Sequence, residues 1–180
     1  MAITRRDLAV DALSKLPLSV ANRRLAQYWL SLWRDDGMPL RADFSPSQVR
    51  AHLPGIGLFE VKPNESTRCR LAGTVFTHAL GRELTGCDWR DYTDKALWGE
   101  RLRRNTEIAT GSVGVGLRRS ARIDGLHVTQ ELQLPFADEG VDGSRLLLFH
   151  LDWRPSPEDL KGDAKPINVA DEFHAIPLHA

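Results

Sequence analysis

Three strand-like runs follow one another near the end of the chain with only short, turn-forming connections between them: "SVGVGLRRSARI", "LHVTQELQLPF" and "SRLLLFHLDW". The links "DGL" and "DEGVDGS" are rich in Gly and Asp, which is hairpin chemistry. A parallel pair needs a crossover of a dozen or more residues, so these strands are expected to pair antiparallel. The middle run alternates, with Val128, Gln130, Leu132 and Leu134 on one side and Thr129, Glu131 and Gln133 on the other. Two earlier runs, "IGLFEV" and "STRCRLAGT", are joined by the turn "KPNES" and read as another hairpin. The chain therefore holds five expected strands, all reachable by antiparallel pairing.

Helical patterns fill the spaces around them. Thr4 followed by Asp7 is a capping box, and Leu8, Ala12 and Leu16 then mark a short amphipathic helix ended by Pro17. In "VANRRLAQYWLSLWRDDG", Leu25, Tyr28, Trp29, Leu32 and Trp33 fall on one helical face, with Gly37 beyond its end. Burial of each large apolar side chain is worth about 1.5–3 kcal/mol, so this stripe is expected to pack on the domain or on a partner. Ser45 and Pro46 open a further helical stretch that Leu53-Pro54-Gly55 closes. "VFTHAL" is a single turn or so, stopped by Gly81, "LTGCDWRDY" a loop, and "DKALWGERLRRNTEIATG" a longer helix ending at Gly111. Gly73 and Gly81 each sit where an element ends and the chain must turn, and both read as structural. The order predicts an α+β domain, a five-stranded antiparallel sheet with short helices on one face and N-terminal amphipathic helices.

Composition narrows the function. Lys plus Arg and Asp plus Glu balance at 24 each over 180 residues. Zero net charge argues against a general nucleic-acid or anionic-membrane binder. No run approaches the roughly 18 apolar residues of a membrane span, and the N-terminus reads poorly as a signal peptide. The expectation is a cytoplasmic protein. Cys69 and Cys87 lack CxxC spacing, which argues against a disulfide framework or a zinc site.

The stretches "LAQYWLSLW", "PLRADFSPSQVRAHLPGIGLFEV" and "RCRLAGTVFTHALGRELTG", in that order, resemble a family of small stand-alone bacterial PAS-like proteins. The resemblance runs from Leu25 to Trp153 and is topological in its second half. It divides the chain into an N-terminal helical extension (1–37), a PAS-like domain (38–154) and a C-terminal linker and tail (155–180). It implies short helices lying across a curved sheet as one wall of a pocket, and signalling through contact with a protein partner. It does not fix a ligand.

Candidate residues follow. Phe76, Leu80, Trp98, Leu102, Val115, Leu132, Leu134 and Phe149 are the expected pocket lining. Photosensing PAS domains set a flavin-reactive cysteine in an Asn-Cys-Arg-Phe-like run and carry Gln on the last strand. Here Cys87 stands in "GCDWR" and the last strand is "LLLFHLDW", so no flavin is expected. His78 and His150 are the candidate haem ligands, and each reads as a hydrogen-bonded or surface histidine, so no haem is expected. "GSVGVG" (111–116) follows a helix and precedes a strand, the reverse of a dinucleotide-binding loop. The basic clusters are "RLRRN" and "RRSAR". In the second, Arg118 and Arg122 have a spacing able to clamp a phosphate, against the plainer reading of a solvated strand edge. No GxSxG elbow is present, and His52, His127, His174 and His179 are scattered without metal-ligand spacing.

Three readings stand. The first is a non-enzymatic sensory or regulatory PAS-like domain that binds a small ligand or a protein partner. The second is a small-molecule enzyme on a cone-shaped α+β fold, with His150 or Asp152 as its last-strand acid or base. The third is a ligand-free structural adaptor. The aromatic stripe on the N-terminal helix adds the expectation of a homodimer built on Leu25, Tyr28, Trp29, Leu32 and Trp33.

Overall fold

The computed structural model describes residues 4–34, 37–111, 115–121, 128–153 and 172–176. Helices α1 (Arg5–Lys15) and α2 (Val20–Ser31) lead into strands β1 (Ile56–Lys62) and β2 (Ser66–Ala72). Helices α3 (Thr74–Leu80) and α4 (Trp98–Ala109) then cross to β3 (Val115–Ala121), β4 (Val128–Glu139) and β5 (Arg145–Asp152). A further strand, β6 (Glu172–Ile176), comes from the segment expected to be tail.

All pairings are antiparallel, in the order β2-β1-β5-β4-β3-β6. The five expected strands form the body of the sheet. The sixth adds to the free edge of β3, pairing Val115 with Ile176 and Arg119 with Glu172. An edge strand offers unpaired backbone groups, and β6 satisfies one such row.

Local rules explain most element ends. Thr4 caps α1, accepting from the Asp7 amide while the Asp7 carboxylate accepts from the Thr4 amide. Asn64 takes a left-handed conformation, φ 59°, in the turn between β1 and β2. Gly81 ends α3 at φ 67°, where a branched residue would be strained. Gly73 has an ordinary φ, but a Cβ there would lie 2.3 Å from the Pro54 carbonyl oxygen. One glycine is required by conformation and the other by close approach.

The stretch expected as a helix after Ser45 is a 3₁₀ segment, Pro46–Gly55, kinked at Val49. Pro54 removes a donor inside it, and Ser45 turns its hydroxyl to Ser47 rather than capping a backbone amide.

The sheet is covered on both faces. On one, called the front, α3, α4 and the 3₁₀ turn Trp89–Tyr92 pack over Phe59, Val61, Cys69, Leu147, Phe149 and Leu151. On the other, the back, α1 and α2 pack over Ile56, Leu117, Leu132, Leu134, Phe136 and Leu148. Strand β5 alternates between them, which explains why "LLLFHL" is nearly all apolar. The stripe on α2 lies within this back core: Leu25 and Trp29 are fully buried, Trp33 nearly so, and Tyr28 and Leu32 pack against them. Trp29 also donates its indole N–H to the Pro135 carbonyl at 3.0 Å. The surface that motivated a helix-mediated homodimer is thus already occupied by the chain's own sheet.

Candidate functional site

The front core combines an apolar floor with several polar groups. Phe59 and Phe149 stack with centroids 4.3 Å apart, and Phe76 of α3 packs beside Phe59. The polar side of β4 faces the same way. Gln133, opposite Phe149 in register, is buried and donates through Nε2 to Glu131 Oε1 at 2.8 Å. Its carbonyl oxygen Oε1 is buried with no hydrogen-bond partner. An amide acceptor left bare in this way costs about 1–3 kcal/mol.

Tyr92, on the 3₁₀ turn, packs against the same apolar floor. Burial pushes its phenol pKa far up, and the nearby Cys69 and Glu131 push the same way, while Arg101 opposes them. The hydroxyl is therefore a neutral donor. Arg101 of α4 donates to Thr93 Oγ1 at 3.1 Å, and the Trp98 indole donates to the Thr93 carbonyl at 2.9 Å. Asn105 bonds Thr67 Oγ1 at 3.2 Å, tying α4 to β2.

A second polar group lies on the back. Gln130 donates to the Pro17 carbonyl at 2.8 Å and accepts from the Ser19 amide at 2.7 Å. Asn22 Nδ2 lies 3.4 Å from the same oxygen of Gln130, and Asn22 Oδ1 lies 2.6 Å from His150 Nδ1. With the Asn22 amide donating to Gln130, its oxygen must accept from His150, so Nδ1 carries the ring proton. The His52 ring meets His150 edge to face at 5.2 Å. Burial, then the charge His52 can carry, hold the His150 pKa down at about 4, with Asp152 opposing.

The expected pocket residues divide between these places. Phe76 and Phe149 lie in the front core, and Trp98 and Leu102 sit half-buried on α4. Leu80 is 38% exposed on α3. Leu132 and Leu134 point to the back, under the N-terminal helices, because the period of a strand puts them opposite Gln133. They do not share a pocket with Phe76. Val115 begins β3 with its side chain outside the described residues. Arg118 is in register with Glu131 and with Phe173, its side chain likewise undescribed, and Arg122 lies outside the described residues. His78 is exposed on α3. His150 and Asp152 share the back of β5, away from the front core, so neither can serve as an acid or base there. The "GSVGVG" stretch does run from a helix end at Gly111 to a strand start at Val115, with 112–114 outside the described residues.

Sequence reasoning missed Gln133, Glu131 and Tyr92. The signal available was the polar side of the β4 alternation, in a sheet whose helices lie on that side.

The order of the five expected strands is β2-β1-β5-β4-β3, and α3 and α4 lie across the front of the sheet, as the resemblance implied short helices would. A family model described as PAS domain matches residues 18–147. The chain belongs to the PAS-domain family. No curated protein gives a significant match to it. The matched span of this PAS domain takes in α2 and ends within β5, so one of the two helices on the back of the sheet lies inside it and α1 lies before it. Among the described residues no helix is long and apolar enough to cross a membrane, and no cluster of three His, Cys, Asp or Glu side chains could hold a metal ion.

Proposed function

We infer that the chain is a non-enzymatic sensory or regulatory PAS domain that takes a small hydrogen-bond-donating ligand on the front of its sheet and reports it through contact with a protein partner. The observation that carries this reading is the buried, unpartnered Oε1 of Gln133 beside Glu131. Such an acceptor calls for a donor that the folded chain does not itself supply. A donor on the front of the sheet would meet the Gln133 amide oxygen next to the Glu131 carboxylate. Because α3 and α4 pack on the same strands, a change there is carried to the surface those helices present.

The competing reading is a ligand-free adaptor with a filled core, favoured by the close cover on both faces. Thermal melting of Gln133→Leu separates the two. On the ligand reading the variant melts below the wild type as purified, and the gap closes once the wild type is refolded from denaturant without small molecules. On the adaptor reading the substitution removes an unsatisfied acceptor, and the variant melts at or above the wild type in both preparations.

A further inference from the structure

The loop after α3 returns to the exposed edge of β2 and pairs with it briefly. The Cys69 amide donates to the Cys87 carbonyl at 2.9 Å, and the Gly86 amide donates to the Cys69 carbonyl at 2.8 Å. Arg68 and Asp88 form the next bridge of this antiparallel ladder. The turn that permits it runs from Leu84 to Cys87, closed by a bond of 2.9 Å between the Cys87 amide and the Leu84 carbonyl. Gly86 occupies its third position at φ 87°. With Arg68 opposite Asp88, Cys69 faces Cys87 together with Gly86. The two residues oppose Cys69 in a bulge with the glycine in the left-handed region, and neighbouring strands lie about 4.7–4.9 Å apart. A disulfide spans roughly 4.4–6.8 Å.

We propose that Cys69 and Cys87 are a peroxide-responsive dithiol pair that closes to an intramolecular disulfide across the β2 edge. Both are free thiols in this structure, Cys69 fully buried and Cys87 half-buried. Cys87 is the sulfur a peroxide reaches, with Arg82 Nη2 4.0 Å away. Its sulfur attacks the peroxide, the O–O bond breaks, and Cys87 becomes a sulfenic acid while the peroxide leaves as water or an alcohol. The Cys69 sulfur then displaces hydroxide from the Cys87 sulfur, the S–S bond forms, and a second water is released. Two thiols lose two electrons and two protons, and the peroxide takes them up. The bond encloses α3 in a covalent loop, since Thr74–Leu80 lies between the two cysteines. Oxidation therefore fixes one wall of the front core to β2. Burial pushes the Cys69 thiol up to about 11, so the thiolate that closes the bond is scarce at neutral pH.

The test treats the folded full chain with hydrogen peroxide, blocks remaining thiols with N-ethylmaleimide in denaturant, and reads intact mass and peptide map. The expected result is joint loss of both thiols, a mass lower by two hydrogens, a Cys69–Cys87 cross-linked peptide and full reversal by dithiothreitol. Closure should speed up about tenfold per pH unit below the Cys69 pKa, as the thiolate fraction grows. Cys87→Ser should leave Cys69 alkylatable after the same treatment, and Cys69→Ala should leave a Cys87 sulfenic acid that dimedone traps. The proposal is overturned if wild-type Cys87 proceeds to sulfinic acid while Cys69 stays a thiol, if it links to a second chain instead, or if neither thiol reacts in the folded protein.

Discussion

His150 Nδ1 stands 2.6 Å from Asn22 Oδ1, joining the central strand β5 to helix α2 inside the back core. The bond requires a proton on Nδ1, and burial keeps the ring otherwise unprotonated. His52 on the 3₁₀ segment, Asp152 on β5 and Arg24 on α2 are the ionisable groups that act on this pair of histidines, and the field of His52 adds to burial in keeping His150 uncharged.

This arrangement predicts acid sensitivity. The His150 pKa is lowered to about 4 when folded, from an ordinary 6.5. Between these values the unfolded chain binds more protons than the folded one, so stability rises with pH. It should be complete above about pH 6.5 and fall as pH drops toward 4, by roughly 3 kcal/mol at about 1.4 kcal/mol per pKa unit. Denaturant melts at a series of pH values check the slope. His150→Gln should flatten it, and an unchanged slope in that variant would place the acid sensitivity elsewhere.

The aromatic stripe on α2 predicts loss of folding rather than loss of assembly. Trp29 is fully buried and bonded to Pro135. Trp29→Ala should cost about 3–5 kcal/mol. Sedimentation and circular dichroism of Trp29→Glu/Trp33→Glu should find an unfolded or aggregated chain. A folded monomer derived from a wild-type dimer would instead mean that the stripe serves an interface.

The two glycines around α3 should respond differently to the same side chain. Asn tolerates the left-handed conformation, so Gly81→Asn should melt close to wild type, whereas Gly81→Val should cost roughly 1–2 kcal/mol or more. At Gly73 any Cβ meets the Pro54 carbonyl, so Gly73→Ala and Gly73→Asn should both be destabilising by at least about 1–3 kcal/mol. Equal melting of Gly73→Ala and wild type would contradict the close approach.

Local chemistry made much of the fold legible. The Thr4–Asp7 box, the stop at Gly81, the turn at Asn64 and the hairpin between β4 and β5 are each decided by residues a few positions apart, while the expected "DGL" turn lies outside the described residues. The cover on each face is decided at long range. Gln130 bonds Ser19 across 111 positions and His150 bonds Asn22 across 128, and no local pattern announces either. The β4 alternation separated Leu132 and Leu134 from Gln133 correctly. A polar strand face looks the same in sequence whether water or α4 lies over it, so the buried role of Gln133 stayed hidden. Strand β6 is short and sits beyond a linker-like stretch, and only the free edge of β3 gives it a place.

A small molecule held at Gln133 is the central proposal. A native mass spectrum of the full chain, purified without additives, tests this directly. The sample should be colourless, with no flavin band near about 450 nm and no haem Soret band. The wild type should carry a small non-covalent adduct that is absent from Gln133→Leu. A bare chain mass for both proteins, with Gln133→Leu melting at or above the wild type, would contradict the ligand reading and leave the filled-core adaptor.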